Sequence, residues 1–217
     1  FASAILLAIL APVQQAWALS EQDFLGDLPI VLSASRLAQP KNEAPAAITI
    51  IDREMIEAST ALEIPDLLQL VPGFQVGRVS GLVRSVTSHG LSDQYSRRMQ
   101  ILIDGRSVYD PLFGGMIWES IPISIADVER IEVVRGPNAA SYGANAFLGA
   151  INIVTRKPGL NGEVRARVAA GSQSTTHLDV AQDWALAGGH GLQLSAGRVQ
   201  TGGFDDLYDG GHMVRFN

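Results

Sequence analysis

The stretch from Asp127 to Pro158, DVERIEVVRGPNAASYGANAFLGAINIVTRKP, constrains the fold more than any other part of the chain. Two β-branched runs flank a loop of small residues. Val128 to Val134 carries charges at Glu129, Arg130 and Glu132, while Ala150 to Thr155 is a short apolar run suited to a strand buried on both faces. Between them, Gly136, Pro137, Gly143 and Gly149 permit tight turns and close backbone approach. A glycine-rich loop after a strand raises the question of phosphate binding. A P-loop needs Lys and Ser/Thr after its last glycine, and here Ala150 and Ile151 follow Gly149. A dinucleotide fingerprint needs a helix after the glycines, and a strand follows instead. Nucleotide binding is excluded on both counts.

The run IEVVRGPNAASYGANAFLGAINIVTRKP resembles the closing segment of the plug domain of TonB-dependent outer-membrane receptors. Upstream, ILIDGRSVYDPLFGG resembles the central plug motif of the same family. The plug-motif positions here are Asp104, Gly105, Arg135, Gly136, Pro137, Tyr142 and Gly143. The resemblance implies an α+β plug domain, a small mixed β-sheet with short helices, followed by the start of an antiparallel transmembrane β-barrel. It divides the chain into a signal peptide (1–18), a flexible N-terminus with a TonB box (19–36), the plug (37–158) and the first barrel strands (159–217). In function it implies energy-coupled uptake of a ferric siderophore, haem or cobalamin across the bacterial outer membrane, gated by the plug. The implied partners are TonB with its inner-membrane energising complex, outer-membrane lipid and the ligand; no cofactor is implied.

The N-terminal residues fit export. FASAILLAILAPVQQAWA has an apolar core from Ala4 to Ala11 and ends in Ala16-Trp17-Ala18, the pattern of a leader with an A-x-A cleavage site. Its apolar run is shorter than the about 20 residues a spanning helix takes. The chain starts at Phe1 and stops at Asn217 inside a strand-like pattern, so we expect a piece of a longer protein. Leu28, Pro29, Ile30, Val31, Leu32 and Ser33 resemble the TonB box, which would pair with the edge of a partner sheet. Pro29 lacks an N–H, which centres such pairing on Ile30 to Ser33. An ordinary first strand is the alternative reading of this segment.

Within the plug, Ala47 to Ile51 reads as a strand, and Asp52 as the N-cap of a helix over Arg53 to Ala58. A second helix is expected over Ala61 to Leu70, with Pro65 in its first turn and Leu62, Leu67, Leu68 and Leu70 packing. Phe74 to Val79 and Leu82 to Val86 are candidate strands. His89-Gly90 stands where the family usually has Arg-Gly, so no role passes to His89, which reads as a surface histidine. Gln100 to Ile103 is a buried strand that ends in the turn signal Asp104-Gly105. In the loop that follows, the resemblance puts Tyr109, Asp110 and Phe113 toward the ligand; packing against plug or wall is the competing reading. Trp118 is assigned to packing.

After Pro158 the pattern changes to alternation. Val164, Ala166 and Val168 share one face against Arg165 and Arg167; Leu178, Val180 and Trp184 oppose His177, Asp179 and Asp183; Leu192, Leu194 and Ala196 align, and Met213 opens another strand. Apolar residues facing lipid and polar residues facing a lumen alternate in this way in transmembrane strands. A soluble β-meander would look similar. Residues 188–191 form a short turn and 200–212 a longer loop, the asymmetry of inner turns and outer loops. Asp205, Asp206 and Asp209 are hard oxygen donors that could reach calcium, but their spacing fits no defined calcium loop and a solvated acidic loop is favoured.

No catalytic constellation is present in the sequence. Ser141 lacks the first glycine of a nucleophile elbow, and the four histidines are scattered without zinc spacing. Glu129-Arg130 and Glu132-Arg135 read as structural charge pairs. A net charge of −6 without a basic run argues against nucleic-acid binding, and the absence of cysteine rules out disulfides and thiolate metal sites. Two other classes remain open: a soluble periplasmic ligand-binding or interaction module, and an exported α/β enzyme, for which the catalytic cluster is missing.

Overall fold

The computed structural model describes residues 30–31, 39–40, 47–80, 82–91, 93–137, 139–159, 162–188, 190–203 and 211–216. The expected leader (1–18), Leu28, Pro29, Leu32 and Ser33 of the TonB-box segment, and Asp205, Asp206 and Asp209 lie outside the described residues.

In chain order the strands are β1 (Ile30–Val31), β2 (Gln39–Pro40), β3 (Ala47–Ile51), β4 (Phe74–Arg78), β5 (Arg84–Ser88), β6 (Met99–Ile103), β7 (Arg106–Ser107), β8 (Val128–Arg135) and β9 (Gly149–Thr155). Then come β10 (Val164–Ala170), β11 (Thr176–Ala185), β12 (Gly191–Thr201) and β13 (Gly211–Phe216). The helices α1 (Arg53–Ala58), α2 (Ile64–Leu67) and α3 (Ala139–Tyr142) are short. A five-stranded sheet of order β3-β8-β9-β6-β7 forms the centre of the first part. It is mixed, because β6 and β9 run parallel while the other pairs are antiparallel. The last four strands form a separate antiparallel meander in sequence order.

Alternation on β8 and β9 sends side chains to both faces of the central sheet. Ile131, Val133, Ile151 and Ile153 enter the main core with Ile56 of α1, Leu67 of α2, Leu68 and Trp118. On the other face Val134 and Ala150 pack with Ile48 and Leu102, and Tyr142 covers them. Polar residues share that second face: Glu132 and Asn152 are directly opposite one another in register and both are buried. The sheet therefore has one oily face and one mixed face.

Local chemistry sets the element ends. Asp52 caps α1 by accepting from the Met55 N–H at 2.8 Å. The helix expected over 61–70 starts only at Ile64, because Asp66 turns its carboxylate back to accept from the Leu62 and Glu63 N–H groups. It tightens into a 3-10 turn at Leu68–Leu70, which leaves Leu70 largely exposed instead of packed. The second hairpin strand lies at Arg84–Ser88, two residues later than the apolar run suggested, since register with Phe74–Arg78 fixes it. Glu132 pairs with Arg130 at 2.8 Å, not with Arg135. Residues two apart on a strand share a face and residues three apart do not.

The Asp104-Gly105 turn has left-handed backbone at both residues (φ 47° and 76°) and joins β6 to β7 as a two-residue hairpin. Its asparate is also anchored: Asp104 accepts from the Thr155 N–H at 2.8 Å and hydroxyl at 2.7 Å, and Asn152 Oδ1 accepts from the Gly105 N–H at 3.0 Å. The hairpin is thereby clamped to the end of β9.

In the meander the usual polarity of a fold is reversed. Val168, Leu178, Val180, Trp184, Leu192 and Leu194 face outward, Val168 at 77% exposure, while His177, Asp179, Asp183 and Ser195 are buried, Ser195 on Asp127 of the plug. Among the described residues no helix is long and apolar enough to cross a membrane; strands are not addressed by that observation.

The central sheet should be the most sensitive part of the first domain. Ile131→Ala, at a fully buried site, is expected to lower plug stability by about 2–5 kcal/mol in denaturant unfolding of the full-length protein. A loss below about 1 kcal/mol would contradict the assignment of this residue to the main core.

Candidate functional site

Three loops meet beyond the start of β6 and the end of β8. In the loop after β7, the Asp110 carboxylate accepts from the Leu112 and Phe113 N–H groups at 2.8 and 3.2 Å, and Asp110 exchanges backbone hydrogen bonds with Gly115. Asp110 therefore closes the loop and is committed to it. Tyr109 and Phe113 are each more than a third exposed, and Leu112 is 85% exposed at the tip.

The structure adds residues that the sequence reading did not single out. Tyr95 stacks on Phe113 with ring centroids 5.3 Å apart, and the Arg97 guanidinium lies 5.1 Å over the Tyr95 ring. Arg97 is held there by the Phe113 carbonyl at 3.1 Å and Asp93 at 2.7 Å. Gly115 runs so close to the Tyr95 carbonyl that a Cβ would collide with it, and the Met116 N–H donates to that same oxygen. The two loops are thus bonded into one platform. A single aromatic residue inside the polar run Ser92–Arg98 was the available signal for Tyr95.

The third loop leaves β8 at Arg135 and contains Gly136, Pro137, Tyr142 and Gly143. The Gly136 N–H donates to the Leu148 carbonyl at 3.0 Å, and Gly136 and Gly143 both take positive φ. Tyr142 sits half-buried on the second face of the sheet. Arg135 Nε is buried with no hydrogen-bond partner among the described residues. Asp104 and Gly105 lie at the opposite end of β6 from this platform, in the clamped hairpin. Trp118 is buried in the core, as a packing residue. His89 is exposed; its N–H donates to the Gly73 carbonyl at 2.8 Å and its ring covers Gly73.

At the N-terminal end, Ile30 and Val31 form β1 and pair antiparallel with Gln39 and Pro40. The middle of the segment expected to act as a TonB box is thus extended backbone in a two-residue ladder.

A buried ionic cluster stands between the platform and the N-terminal half. Arg84 of β5 binds Glu63 at 2.9 Å and approaches Asp66 at 3.5 Å, and the Arg84 N–H donates to Glu119. Glu119 follows the platform loop directly, so Arg84 ties three elements together, its guanidinium to Glu63 and Asp66 and its backbone N–H to Glu119. Burial raises the Glu119 carboxyl above its ordinary value of 4.5, against the lowering effect of the Arg84 N–H.

Comparison with known proteins agrees with this geometry. Residues 40–150 match the TonB-dependent Receptor Plug Domain family. The chain is 31% identical over 198 residues to the vitamin B12 transporter BtuB of Vibrio vulnificus, covering 91% of this chain and 32% of that protein. It is 35% identical over 146 residues to BtuB of Photobacterium profundum, covering 67% of this chain and 23% of that protein. Among solved structures it superposes on the ferripyoverdine receptor of the Pseudomonas aeruginosa outer membrane with a TM-score of 0.63 at 19% identity, covering 80% of this chain and 22% of that one. The alcaligin receptor FauA of Bordetella pertussis gives a TM-score of 0.62 at 20% identity, covering 79% of this chain and 29% of that one. At such identities the likeness to these structures is one of fold.

The fold defines a plug joined to the first strands of a barrel. The chain belongs to the TonB-dependent receptor plug family, whose relatives here are transporters and receptors of the bacterial outer membrane. It is an outer-membrane protein, and it spans about a third or less of the relatives it matches.

The Glu119 cluster yields a pH test. A carboxyl whose pKa is raised by folding binds its proton more tightly in the native state, so stability falls as pH rises from 4.5 through the raised value. Glu119→Gln keeps an acceptor for the Arg84 N–H and removes the titration. Unfolding midpoints of the variant should lose part of the wild-type decline between pH 4.5 and neutrality; identical slopes would refute the assignment.

Proposed function

We propose that the whole protein takes up a scarce ligand across the outer membrane, with energy delivered through TonB and the plug as gate. The observation that supports this most is the direct junction of a plug-type sheet to strands whose polar side docks on it and whose apolar side faces out. The ligand is of the ferric siderophore, haem or cobalamin class. Cobalamin is the first to test, because the relatives at 31% and 35% identity are vitamin B12 transporters.

In this reading residues 1–18 direct export, 19–36 present the TonB box, 37–158 form the plug and 159–217 begin the barrel. Val164, Val168, Leu178, Val180, Trp184, Leu192 and Leu194 meet lipid. The platform of Tyr109, Phe113, Tyr95 and Leu112 receives ligand from outside, while Asp110 holds its shape. Ligand shifts the plug between two states by binding one of them more tightly. TonB adds a strand to the box, and Ile30 and Val31 supply the extended backbone it needs.

The test is uptake by the full-length protein in a Gram-negative host, with labelled cobalamin, ferric siderophores and haem supplied in turn. Val31→Pro removes a backbone N–H from the box and should abolish energised uptake while leaving surface binding of the transported ligand unchanged. Phe113→Ala should weaken binding by roughly ten-fold, the scale of losing one stacked aromatic contact with its buried area. Uptake that persists in Val31→Pro would remove the TonB box from this segment; failure of every ligand to accumulate would sink the transport reading.

A further inference from the structure

We propose that the turn formed by residues 124–128 is a latch that seals the plug against the barrel wall, with Asp127 as its fastening. Asp127 is 1% exposed although it is ionisable. One carboxylate oxygen accepts from the Ser124 N–H and from the Ser195 hydroxyl, each at 3.0 Å, and the other accepts from the Gln193 side-chain amide at 3.0 Å. Ser124 belongs to the plug; Gln193 and Ser195 belong to β12. Residues two apart on a strand share a face, so β12 presents two donors side by side, matched to the two oxygens of a single carboxylate.

The turn is braced from behind. Arg53 of α1 donates to the Val128 carbonyl at 2.8 Å and to the Ile125 carbonyl at 3.3 Å, and the Arg156 N–H donates to the Asp127 carbonyl at 2.8 Å. Beside it the connection into β10 is pinned as well: Asp183 of β11 accepts from the Gly159 N–H at 2.9 Å and from both terminal nitrogens of Arg165, at 2.8 and 3.1 Å. A buried carboxylate is tolerated only with its lone pairs satisfied. Here the wall provides part of that satisfaction. Separation of plug from wall at this point exposes Asp127, Gln193 and Ser195 together, so the flank stays shut at rest. Its hydrogen-bonding side chains on the wall, Gln193 and Ser195, are neutral, and the Arg165 guanidinium of β10 adds a Coulombic attraction to the carboxylate.

The latch needs neither a particular ligand nor energy coupling, only a plug seated in its barrel. The experiment measures influx of a bulky hydrophilic dye through the full-length protein in outer membranes, without ligand and without TonB. Asp127→Ala should raise influx by roughly ten-fold, the scale set by losing hydrogen bonds to a charged acceptor, with the heat-modifiable barrel band unchanged. The wall pair Gln193→Ala/Ser195→Ala should leak to a similar degree, and adding Asp127→Ala to it should raise influx little further, as groups sharing one interaction are non-additive. An assembled Asp127→Ala protein with wild-type influx overturns the latch, as do effects that multiply independently. Should Asp127→Ala not assemble, the wall pair decides alone: wild-type influx there overturns the proposal.

Discussion

The antiparallel pairing of β8 with β9 is the interaction on which the rest of the first domain depends. Every other strand of the central sheet is reached through it: β3 pairs with β8, β6 pairs with β9, and β7 hangs from β6. Its apolar alternation supplies Ile131, Val133, Ile151 and Ile153 to the main core. Both ends of the pair also do something. One end opens on the loop with Gly136 and Gly143, while at the other the turn before β8 and the connection after β9 meet the meander. A hairpin whose connecting loop is 13 residues long brings a closure cost that local contacts cannot repay, so its stability must come from burial on both faces.

That dependence explains what could be read from the sequence. Four strands of the central sheet, β3, β6, β8 and β9, were legible from apolar or β-branched runs bounded by turn residues such as Asp104-Gly105, whereas the two-residue β7 exists only by pairing with β6. The cap at Asp52 was legible for the same local reason. The start of α2 was not, since it depends on whether Asp66 turns back to the Leu62 and Glu63 N–H groups or continues outward. The β4–β5 register was misplaced by two residues because the apolar run begins at Leu82 while pairing with Phe74–Arg78 selects Arg84–Ser88. Tyr95 and Arg97 escaped notice because their part in the platform arises from contact with a loop 16 to 18 residues away. Arg84, Glu63 and Glu119 are likewise ordinary charges in sequence and a cluster only in three dimensions.

The meander was read from alternation, and the structure shows why a weak signal was sufficient. In a soluble sheet, the apolar side of each strand would turn toward the packed core. Here Asp179, Asp183, Ser195 and His177 are buried together with Val199, while Val164, Val168, Leu178, Val180, Trp184, Leu192 and Leu194 turn out. The inversion is consistent only if the exterior is apolar and the interior offers hydrogen bonds. Arg165 meets Asp183, Thr175 meets Thr201, and Arg167 donates to the Ala61 carbonyl of the plug at 2.7 Å. The plug takes the place that water would otherwise fill.

This choice of partners bears on movement. A seam made of oily side chains would resist separation in proportion to its area, at about 25 cal/mol for each Å² exposed. A seam made of hydrogen bonds exchanges its partners for water when it opens, and each neutral bond then contributes only about 0.5–1.5 kcal/mol. The core beneath β8 and β9 belongs to the first kind and the face toward the meander to the second. Under the proposed gating, a plug built this way would shift against its wall with its own sheet intact. Among the polar contacts described between plug and wall, those to the Asp127 carboxylate and from the Arg167 guanidinium to the Ala61 carbonyl resist most, because hydrogen bonds to a charged group are worth about 1.5–3 kcal/mol. One bears on β12 and the other on the middle of β10, which fastens the plug to two separate strands of the wall.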